Sequence, residues 1–488
     1  MKYIYIKISS IILTSLLIFT SCDPNLDINR DPDLLAPNQI PMSSELPTAI
    51  TGIGASTGSF FALTGGFWSQ FWTQSAVANQ YKNIDDYTLP ASSSIINDSW
   101  SSMYDALTDV RNIKKNALAD ENWKYYLIAS TLEVYTSQIL VDMFGTIPYT
   151  EANNVEILNP KFEDGETVYD KMVTELNEAL SKDLSLSPAN NTPGESDFIF
   201  GGNMNKWTQF ANTLLLKVYL RQTEVRPSIA QEGIVSLINS GAEFLANDAA
   251  ITQFTDEANK SNPLYETDRR QLNTTTNLRA STTLGSFLND VNDPRLPFFY
   301  EGNTFQLQGD FDDGSSNSSV VILNALDPVY FISKAESYFL QAEANLRYMG
   351  GNNAATLYNN GVNAAFSQWK LEDGTELDAS VLLAGVYAYP AGTLEENIEA
   401  IITQKWIASF PGHGFESFFE HNRTGYPKVS TVLQNDPNYV SGQFSYSIEG
   451  KTGGLFPKRF VYPQQERQRN SNAPAANELT DKVWYNKN

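Results

Sequence analysis

The chain is poor in the residues that form disulfides and thiolate metal sites. Its 488 residues include one cysteine, Cys22, and two histidines. An internal disulfide needs two cysteines, so neither a disulfide nor a cysteine-based metal site can stabilise this fold. Stability must come from packing, and an aromatic content of 12% supplies large apolar side chains for a core.

Basic residues are also scarce. Lysine and arginine total 33 against 56 aspartates and glutamates, which gives a net charge of −23. Phosphate backbones and anionic lipid headgroups both require clustered positive charge. The composition therefore argues against binding to nucleic acid and against binding to acidic lipid surfaces.

Long hydrophobic runs are absent except near residue 1. Lys2 and Lys7 precede an uncharged segment, residues 8–21, that is rich in isoleucine and leucine. It is shorter than the about 20 apolar residues of a membrane-spanning helix, and the pattern is typical of a secretory signal peptide. Small residues directly precede Cys22, as in a bacterial lipobox. We predict a lipoprotein signal peptide at 1–21 with lipidation at Cys22; the alternative is an ordinary signal peptide with an incidental cysteine.

The segment after Cys22 is polar and interrupted by prolines. Such a composition stays extended, so residues 22–38 are predicted to be a lipidated, flexible tether. No later segment has the composition of a linker. Residues 39–488 are therefore predicted to form a single domain.

Apolar residues recur at helical spacing through much of that domain. In Tyr330–Trp369, two apolar stripes are separated by Gly350 and Gly351, and such paired helices resemble a tetratricopeptide unit. The fold class predicted is all-α, with tetratricopeptide-like hairpins in an α/α superhelix and long loops that carry the ligand site. The predicted hairpins are Trp100–Phe144, Glu166–Thr223, Tyr330–Trp369 and Glu395–Asn422.

Other segments are not assigned as helices. Leu46–Gly66 is rich in glycine, alanine, serine and threonine, and its composition assigns no secondary structure. Asp293–Tyr300 contains Pro294 and Pro297, which favour an extended backbone before them. The tail from residue 424 onward has little periodicity and is predicted to consist of loops and turns.

Motifs that would indicate an enzyme are weak. Gly54–Gly58 reads G-x-S-x-G, but the alternating strands and helices around a nucleophile elbow are missing. His413, Glu416, Glu420 and His421 do not have zinc-motif spacing, and a polar helix face is the simpler interpretation. The many carboxylates leave a glycosidase open without identifying a catalytic pair. We therefore predict no catalytic residue, no metal and no cofactor.

A better candidate for ligand binding is a group of aromatic and amide side chains in residues 68–81. Flat rings pack on the C–H faces of a sugar, while amides exchange hydrogen bonds with its hydroxyls. Tyr265 and Arg269 form a second, smaller group. The predicted ligand-binding residues are Trp68, Trp72, Gln74, Asn79, Tyr81, Tyr265 and Arg269.

The aromatic residues at 67–72 form two i,i+4 pairs that would flank one another on a helix. One pair is expected to pack inward while the other faces a cavity. The alternative is that all four rings belong to the core, as aromatic stripes usually do. If the rings bind ligand, Trp72→Ala and Tyr81→Ala should weaken ligand retention without unfolding the protein.

Five segments spread across nearly the whole domain have recognisable sequences. They are Val141–Ala152 (VDMFGTIPYTEA), Asp293–Pro297 (DPRLP), Ala335–Ala344 (AESYFLQAEA), Thr403–Ser409 (TQKWIAS) and Gly414–Pro427 (GFESFFEHNRTGYP). In sequence and order they resemble the signature of the SusD/RagB family of outer-membrane lipoproteins, and most of all its SusD-like branch.

The resemblance implies a helical, lipid-anchored, non-enzymatic protein on the surface of a Bacteroidetes-type cell. Such proteins cover a SusC-like TonB-dependent outer-membrane transporter and capture an oligosaccharide, or sometimes a peptide, for import. In this family aromatic stacking near the first part of the fold holds the ligand, which is similar to the position of Trp68–Tyr81 here. Two other functions stay open: a helical-repeat scaffold or adhesin, and a surface glycoside hydrolase.

Overall fold

Helices dominate the part of the chain that the computed structural model describes, residues 40–487. The predicted signal peptide at 1–21, the lipidation site Cys22 and the tether at 22–38 lie outside these residues. Within the described part, three two-stranded antiparallel sheets lie among the helices. The predicted all-α fold class is therefore confirmed.

The helices and strands have the following bounds. The helices are α1 (Met42–Ser56), α2 (Ala62–Trp68), α3 (Lys82–Asp85), α4 (Ser94–Ala119), α5 (Trp123–Phe144), α6 (Gly165–Leu180), α7 (Met204–Leu220), α8 (Pro227–Asn239), α9 (Pro263–Tyr265), α10 (Thr282–Asp290), α11 (Leu296–Phe299), α12 (Lys334–Tyr348), α13 (Ala354–Ser367), α14 (Ser380–Leu383), α15 (Leu394–Ala408), α16 (Gly414–Thr424) and α17 (Gln464–Arg469). Turns of π-helix lie at Thr57–Phe61 and Glu266–Arg270, and 3₁₀ turns at Leu184–Leu186 and Gly194–Ser196. The strands are β1 (Trp72–Gln74), β2 (Ile147–Pro148), β3 (Phe162–Glu163), β4 (Ala249–Ile251), β5 (Leu278–Ala280) and β6 (Val329–Ile332).

Neighbouring helices pack side by side along much of the fold. Helix α4 packs on α5, α5 on α6 and α7, and α12 on α13. The turn between α12 and α13 contains Gly350 and Gly351, whose φ angles of +77° and +74° are ones that glycine adopts without strain. Helix α5 is buried on nearly every side, because its apolar residues face all directions. The predicted hairpins at Trp100–Phe144 and Tyr330–Trp369 are thus present.

Composition alone leaves Leu46–Gly66 unassigned, and in the structure most of this segment is helical, as α1, a π turn and α2. Its small residues permit close packing: a Cβ added to Gly52 would lie 3.3 Å from the Cβ of Ala106 on α4. The composition therefore reflects a tight helix contact and not a loop. Buried apolar residues recur on α1 at helical spacing: Met42, Leu46, Ala49, Ile50 and Ile53.

The prediction of an extended backbone over Asp293–Tyr300 is wrong. Leu296–Phe299 forms the short helix α11 with Pro297 in its first turn, where the missing N–H breaks no helical hydrogen bond. Asp293 accepts hydrogen bonds from the backbone N–H of Arg295 at 2.9 Å and from its guanidinium at 2.7 Å. These bonds close the turn that leads into the helix.

The β1–β5 pair brings two loops together that are far apart in the chain. Trp72 lies opposite Ala280, and Gln74 lies opposite Leu278. The backbone N–H of Ser75 then donates to a carbonyl of residue 277 at 2.8 Å. Residues that follow β1 therefore lie beside residues that precede β5.

Buried charged side chains link five helices of the scaffold. At the centre, the guanidinium of Arg221, the residue after α7, donates to Asp142 on α5 at 2.9 Å, and to Glu420 and Glu416 on α16 at 2.5 and 2.9 Å. All four side chains are buried. Burial raises the pKa of Asp142 to about 6, although the charge of Arg221 acts to lower it. Interior charges of this kind are tolerated because each is paired and hydrogen-bonded.

Further pairs extend this buried ion network onto α12 and α15. Lys217 Nζ lies 2.5 Å from Glu416 and 3.1 Å from Glu336. Arg423 on α16 donates to both carboxylate oxygens of Glu343 at 2.7 Å. The complete set is Asp142, Lys217, Arg221, Glu336, Glu343, Lys405, Glu416, Glu420 and Arg423.

Most members of the buried ion network come from the segments that carry the family resemblance. Those segments contribute Asp142, both acids of α12, Lys405 and the three charged residues of α16. They meet in the interior although they are far apart in the chain. The signature therefore describes how the scaffold is held together and does not describe a ligand site.

Candidate functional site

The aromatic residues at 67–72 are all buried in the core. Trp68 and Trp72 are 4% and 0% exposed, and Phe67 and Phe71 are equally inaccessible. Trp68 packs against Phe418 on α16 with 5.0 Å between ring centroids. Helix α2 ends at Trp68 and the chain turns into β1, so the two pairs never share a helix. The expectation that one pair faces a cavity is therefore wrong.

The polar residues of the same group have mixed positions. Gln74 is buried, and its Oε1 accepts the backbone N–H of Tyr81 at 2.7 Å, while its Nε2 donates to the Ser75 carbonyl at 3.1 Å. The Tyr81 side chain is 3% exposed. Gln74 and Tyr81 thus hold the loop after β1 in shape, whereas Asn79 projects from that loop into solvent.

The two predicted groups meet at Asp268. The Tyr81 hydroxyl lies beside the Asp268 carboxylate, and burial together with that charge raises the pKa of Tyr81. Arg269 forms an ion pair with the same carboxylate and donates from Nη2 to the Val321 carbonyl at 2.7 Å. The pairing of β1 with β5 therefore joins residues that the sequence does not connect.

Tyr265 and Arg269 line an open groove with a volume of about 630 Å³. Residues 273–275, Glu301 and residues 320–324 complete the lining of the groove. The Tyr265 ring is half-buried, with the Arg270 guanidinium 5.3 Å from its centroid. Within residues 40–487, the Tyr265 hydroxyl has no hydrogen-bond partner, so it is free to meet a ligand. We call this feature the Tyr265 groove.

The cations of the Tyr265 groove are already neutralised by the protein. Arg269 is paired with Asp268, and burial lowers the pKa of Arg269. Arg270 is paired with Glu266 at 2.9 Å and Asp256 at 2.5 Å. A phosphate or carboxylate ligand would therefore have to displace an existing ion pair. The groove suits a neutral, hydroxyl-rich ligand that needs a ring face and several hydrogen-bonding groups.

The family assignment follows from a comparison with protein-family models. Residues 43–463 match the family SusD-like_2, described as starch-binding and associating with the outer membrane. The chain is a SusD-like protein. No curated protein sequence gives a significant match to it.

Solved structures share the fold of this SusD-like protein along nearly their whole length. A SusD homologue from Bacteroides uniformis is 24% identical with a TM-score of 0.71, covering 91% of this chain and 99% of its own. A protein named as chitin-binding is 22% identical with a TM-score of 0.73, covering 92% and 100%. A chitin-binding SusD homologue from Flavobacterium johnsoniae is 21% identical with a TM-score of 0.71, covering 91% and 99%.

The motifs that could suggest an enzyme have structural roles in this SusD-like protein. Gly54–Gly58 lies within α1 and the π turn after it, and the Ser56 hydroxyl is 2.8 Å from that of Ser102. A nucleophile elbow requires a strand-to-helix turn, which this is not. The matched family and the two chitin-binding structures are described by what they bind. The prediction of a binding protein rather than an enzyme is confirmed.

The two histidines do not join a metal site with the carboxylates near them. His413 Nε2 donates to the Tyr330 carbonyl at 2.6 Å, and His421 Nδ1 lies 3.0 Å from the carbonyl of Pro427. Burial lowers the pKa of His421 to about 3. Among residues 40–487, no three His, Cys, Asp or Glu side chains converge as a metal site.

Within the same range no helix has the length and apolarity to span a bilayer.

Sequence reasoning missed the polar walls of the Tyr265 groove. Asn273, Thr274 and Thr275 lie in a segment dense in arginine, asparagine and threonine, which helical and strand periodicity leaves unresolved. That lack of periodicity was the available signal, since functional loops are often polar and irregular. No sequence pattern connects residues 320–324 with Tyr265, because only the fold brings them to the same groove.

Proposed function

We propose that this SusD-like protein binds a neutral glycan in the Tyr265 groove and delivers it to a SusC-like TonB-dependent outer-membrane transporter. The supporting observation is the groove itself, in which an available tyrosine ring is surrounded by hydroxyl, amide and backbone groups. A helical scaffold or adhesin would need no such groove. Membership of a family described as starch-binding agrees with this proposal.

The groove chemistry favours a glycan over a charged metabolite. A sugar ring presents apolar C–H faces to Tyr265, and its hydroxyls both donate and accept, as do the side chains of residues 273–275. The paired arginines leave no free positive charge for an anion. Glucose chains and N-acetylglucosamine chains are the two candidates, because relatives are described as starch-binding and chitin-binding.

We also propose that the protein is held on the outer membrane at the cell surface. In this proposal residues 1–21 are removed as a signal peptide, Cys22 is acylated, and residues 22–38 connect the lipid to the binding domain at 39–488. The family description, which includes association with the outer membrane, supports this arrangement. A tethered domain can open and close over a transporter without losing its attachment.

Tyr265→Ala tests the site. We expect it to weaken binding of the cognate glycan roughly 10- to 100-fold, because stacking on an aromatic ring is lost. The measurement is isothermal titration against glucose and N-acetylglucosamine oligomers. Tyr348→Ala removes another half-buried tyrosine, on α12, that does not line the groove, and should bind as the unmodified protein does. Equal affinities for the two variants would place the glycan elsewhere.

Purification from membranes tests the anchor and the transporter. The native protein should fractionate with the outer membrane and co-purify with a TonB-dependent β-barrel. Cys22→Ala should be released into the medium, because the lipid on Cys22 is the membrane anchor in this proposal. Recovery of the native protein without any barrel partner would overturn the delivery role and leave the glycan site unaffected.

A further inference from the structure

A second cavity opens next to the Tyr265 groove. It has a volume of about 80 Å³ and is more enclosed than the groove. Leu323 lines both spaces, and Leu264 in the cavity wall directly precedes Tyr265. The two spaces therefore share a wall residue and lie side by side. We call it the Trp369 cavity, after the indole in its wall.

The volume limits what the Trp369 cavity can hold. An engineered cavity of about 150 Å³ admits benzene, which has six non-hydrogen atoms. A cavity of about 80 Å³ therefore admits roughly three to four such atoms. That excludes a whole sugar ring but accommodates a substituent carried by one.

The walls of the cavity are mainly apolar, with a few polar groups. Leu264, Leu323, Val329, Phe410 and Pro411 provide the apolar surface. A small apolar group such as a methyl would replace water on that surface favourably. A hydroxyl group would gain nothing from contact with those apolar side chains.

Two polar groups in the wall lack a partner. Neither the Trp369 indole N–H nor the Gln368 amide has a hydrogen-bond partner within residues 40–487, although both line the cavity. The indole N–H can only donate, and the amide can donate or accept. Both can therefore satisfy a carbonyl oxygen that enters beside a methyl group.

The charged groups around the cavity disfavour an acidic substituent. Asp327 lies in the wall, and Glu336 lies behind His413, 3.7 Å from its Nδ1. His413 Nε2 is occupied by the Tyr330 carbonyl at 2.6 Å. A carboxylate, sulfate or phosphate on the sugar would meet negative charge and no free cation.

We infer that the Trp369 cavity binds the acetamido group of an N-acetylated sugar whose ring lies in the Tyr265 groove. The methyl group packs on Leu323 and its apolar neighbours, and the carbonyl accepts from the Trp369 indole or the Gln368 amide. This inference rests on the proposed glycan-binding function and adds the ligand class. The preferred glycan is one built from N-acetylhexosamine.

Gly412 offers a way to fill the cavity without disturbing the fold. It lines the cavity, and a Cβ added there would meet no atom within 4 Å. Gly412→Leu should therefore fold normally, and its leucine side chain should occupy the Trp369 cavity in place of the acetamido group. The matched control is Gly385→Leu, at an exposed glycine where an added Cβ makes only an ordinary 3.4 Å contact. Trp369→Phe is a second variant, which removes the N–H donor and keeps an aromatic ring.

The experiment compares three hexasaccharides by isothermal titration: β-1,4-linked N-acetylglucosamine, β-1,4-linked glucose and α-1,4-linked glucose. The first two share a backbone and differ only in the acetamido group. We expect the N-acetylated hexamer to bind about tenfold more tightly than its glucose counterpart. Gly412→Leu should abolish that preference and leave the affinity for the glucose hexamer unchanged, and Trp369→Phe should reduce the preference. Gly385→Leu should retain it.

The outcomes separate this inference from the function on which it rests. A preference that survives in Gly412→Leu and Trp369→Phe overturns the acetamido site, as does binding of α-1,4-linked glucose alone. In both cases the glycan-binding function stands. Failure of all three hexamers to bind overturns the inference and the proposed function together.

Discussion

Replacing Arg221 by methionine is expected to lower the free energy of unfolding by about 3–5 kcal/mol. Methionine keeps much of the side-chain length but removes the guanidinium that contacts Asp142, Glu416 and Glu420. Asp142 then stays buried without a cation. Urea unfolding followed by circular dichroism measures the loss.

Arg226→Met is the control for Arg221. Arg226 pairs with Asp170 at 2.8 Å, but these side chains are 18% and 59% exposed. Pairs that water can reach contribute about 1 kcal/mol or less, so this variant should remain close to the unmodified protein. If the two variants lose equal amounts of unfolding free energy, the buried ion network contributes no more to stability than an exposed ion pair does.

Replacing Trp72 by alanine is expected to destabilise the protein by about 3–5 kcal/mol, because it empties a core position. The ring is fully buried and lies edge-to-face with Phe67, Phe71 and Phe410 at centroid distances of 6.0 to 6.4 Å. The sequence predicts loss of ligand without unfolding for this variant. The burial of the ring changes that expectation to a loss of stability.

Tyr265→Ala provides the comparison for Trp72→Ala in the same thermal and urea scans. Its ring is half-buried, so we expect a loss of about 1 kcal/mol, with the main effect on glycan binding. If Trp72→Ala instead keeps its unfolding midpoint and loses glycan binding, the indole must reach the ligand in another conformation. The two variants together assign each aromatic residue either to the core or to the site.

The scaffold was predictable because its evidence is local. Apolar stripes on either side of Gly350 and Gly351 define the α12–α13 hairpin, and the uniformly apolar α5 had to be buried. Helix α1 was left unassigned because its small residues, which allow close packing against Ala106, have no strong helical pattern of their own. The prediction of an extended backbone around Pro297 was wrong because proline fits both an extended backbone and the first turn of a helix.

The site was harder to predict because it depends on contacts between distant segments. Aromatic residues beside amides indicate sugar binding only if they are exposed. The exposure of Trp68 and Trp72 is decided by Phe418 on α16 and by Phe410 after α15, far along the chain. Tyr265 and Arg269 could be named from the sequence. Residues 320–324, which line the same groove, could not be named, because no local sequence pattern indicates which distant loop will lie beside them.

The buried ion network and the Tyr265 groove are built from different residues. Residues 273–275 lie in an irregular loop and take no part in the network that joins the helices. Substitutions in this loop should therefore leave the stability of the helical frame unchanged. Under the proposed function, a few such surface substitutions would be enough to change which glycan the groove prefers.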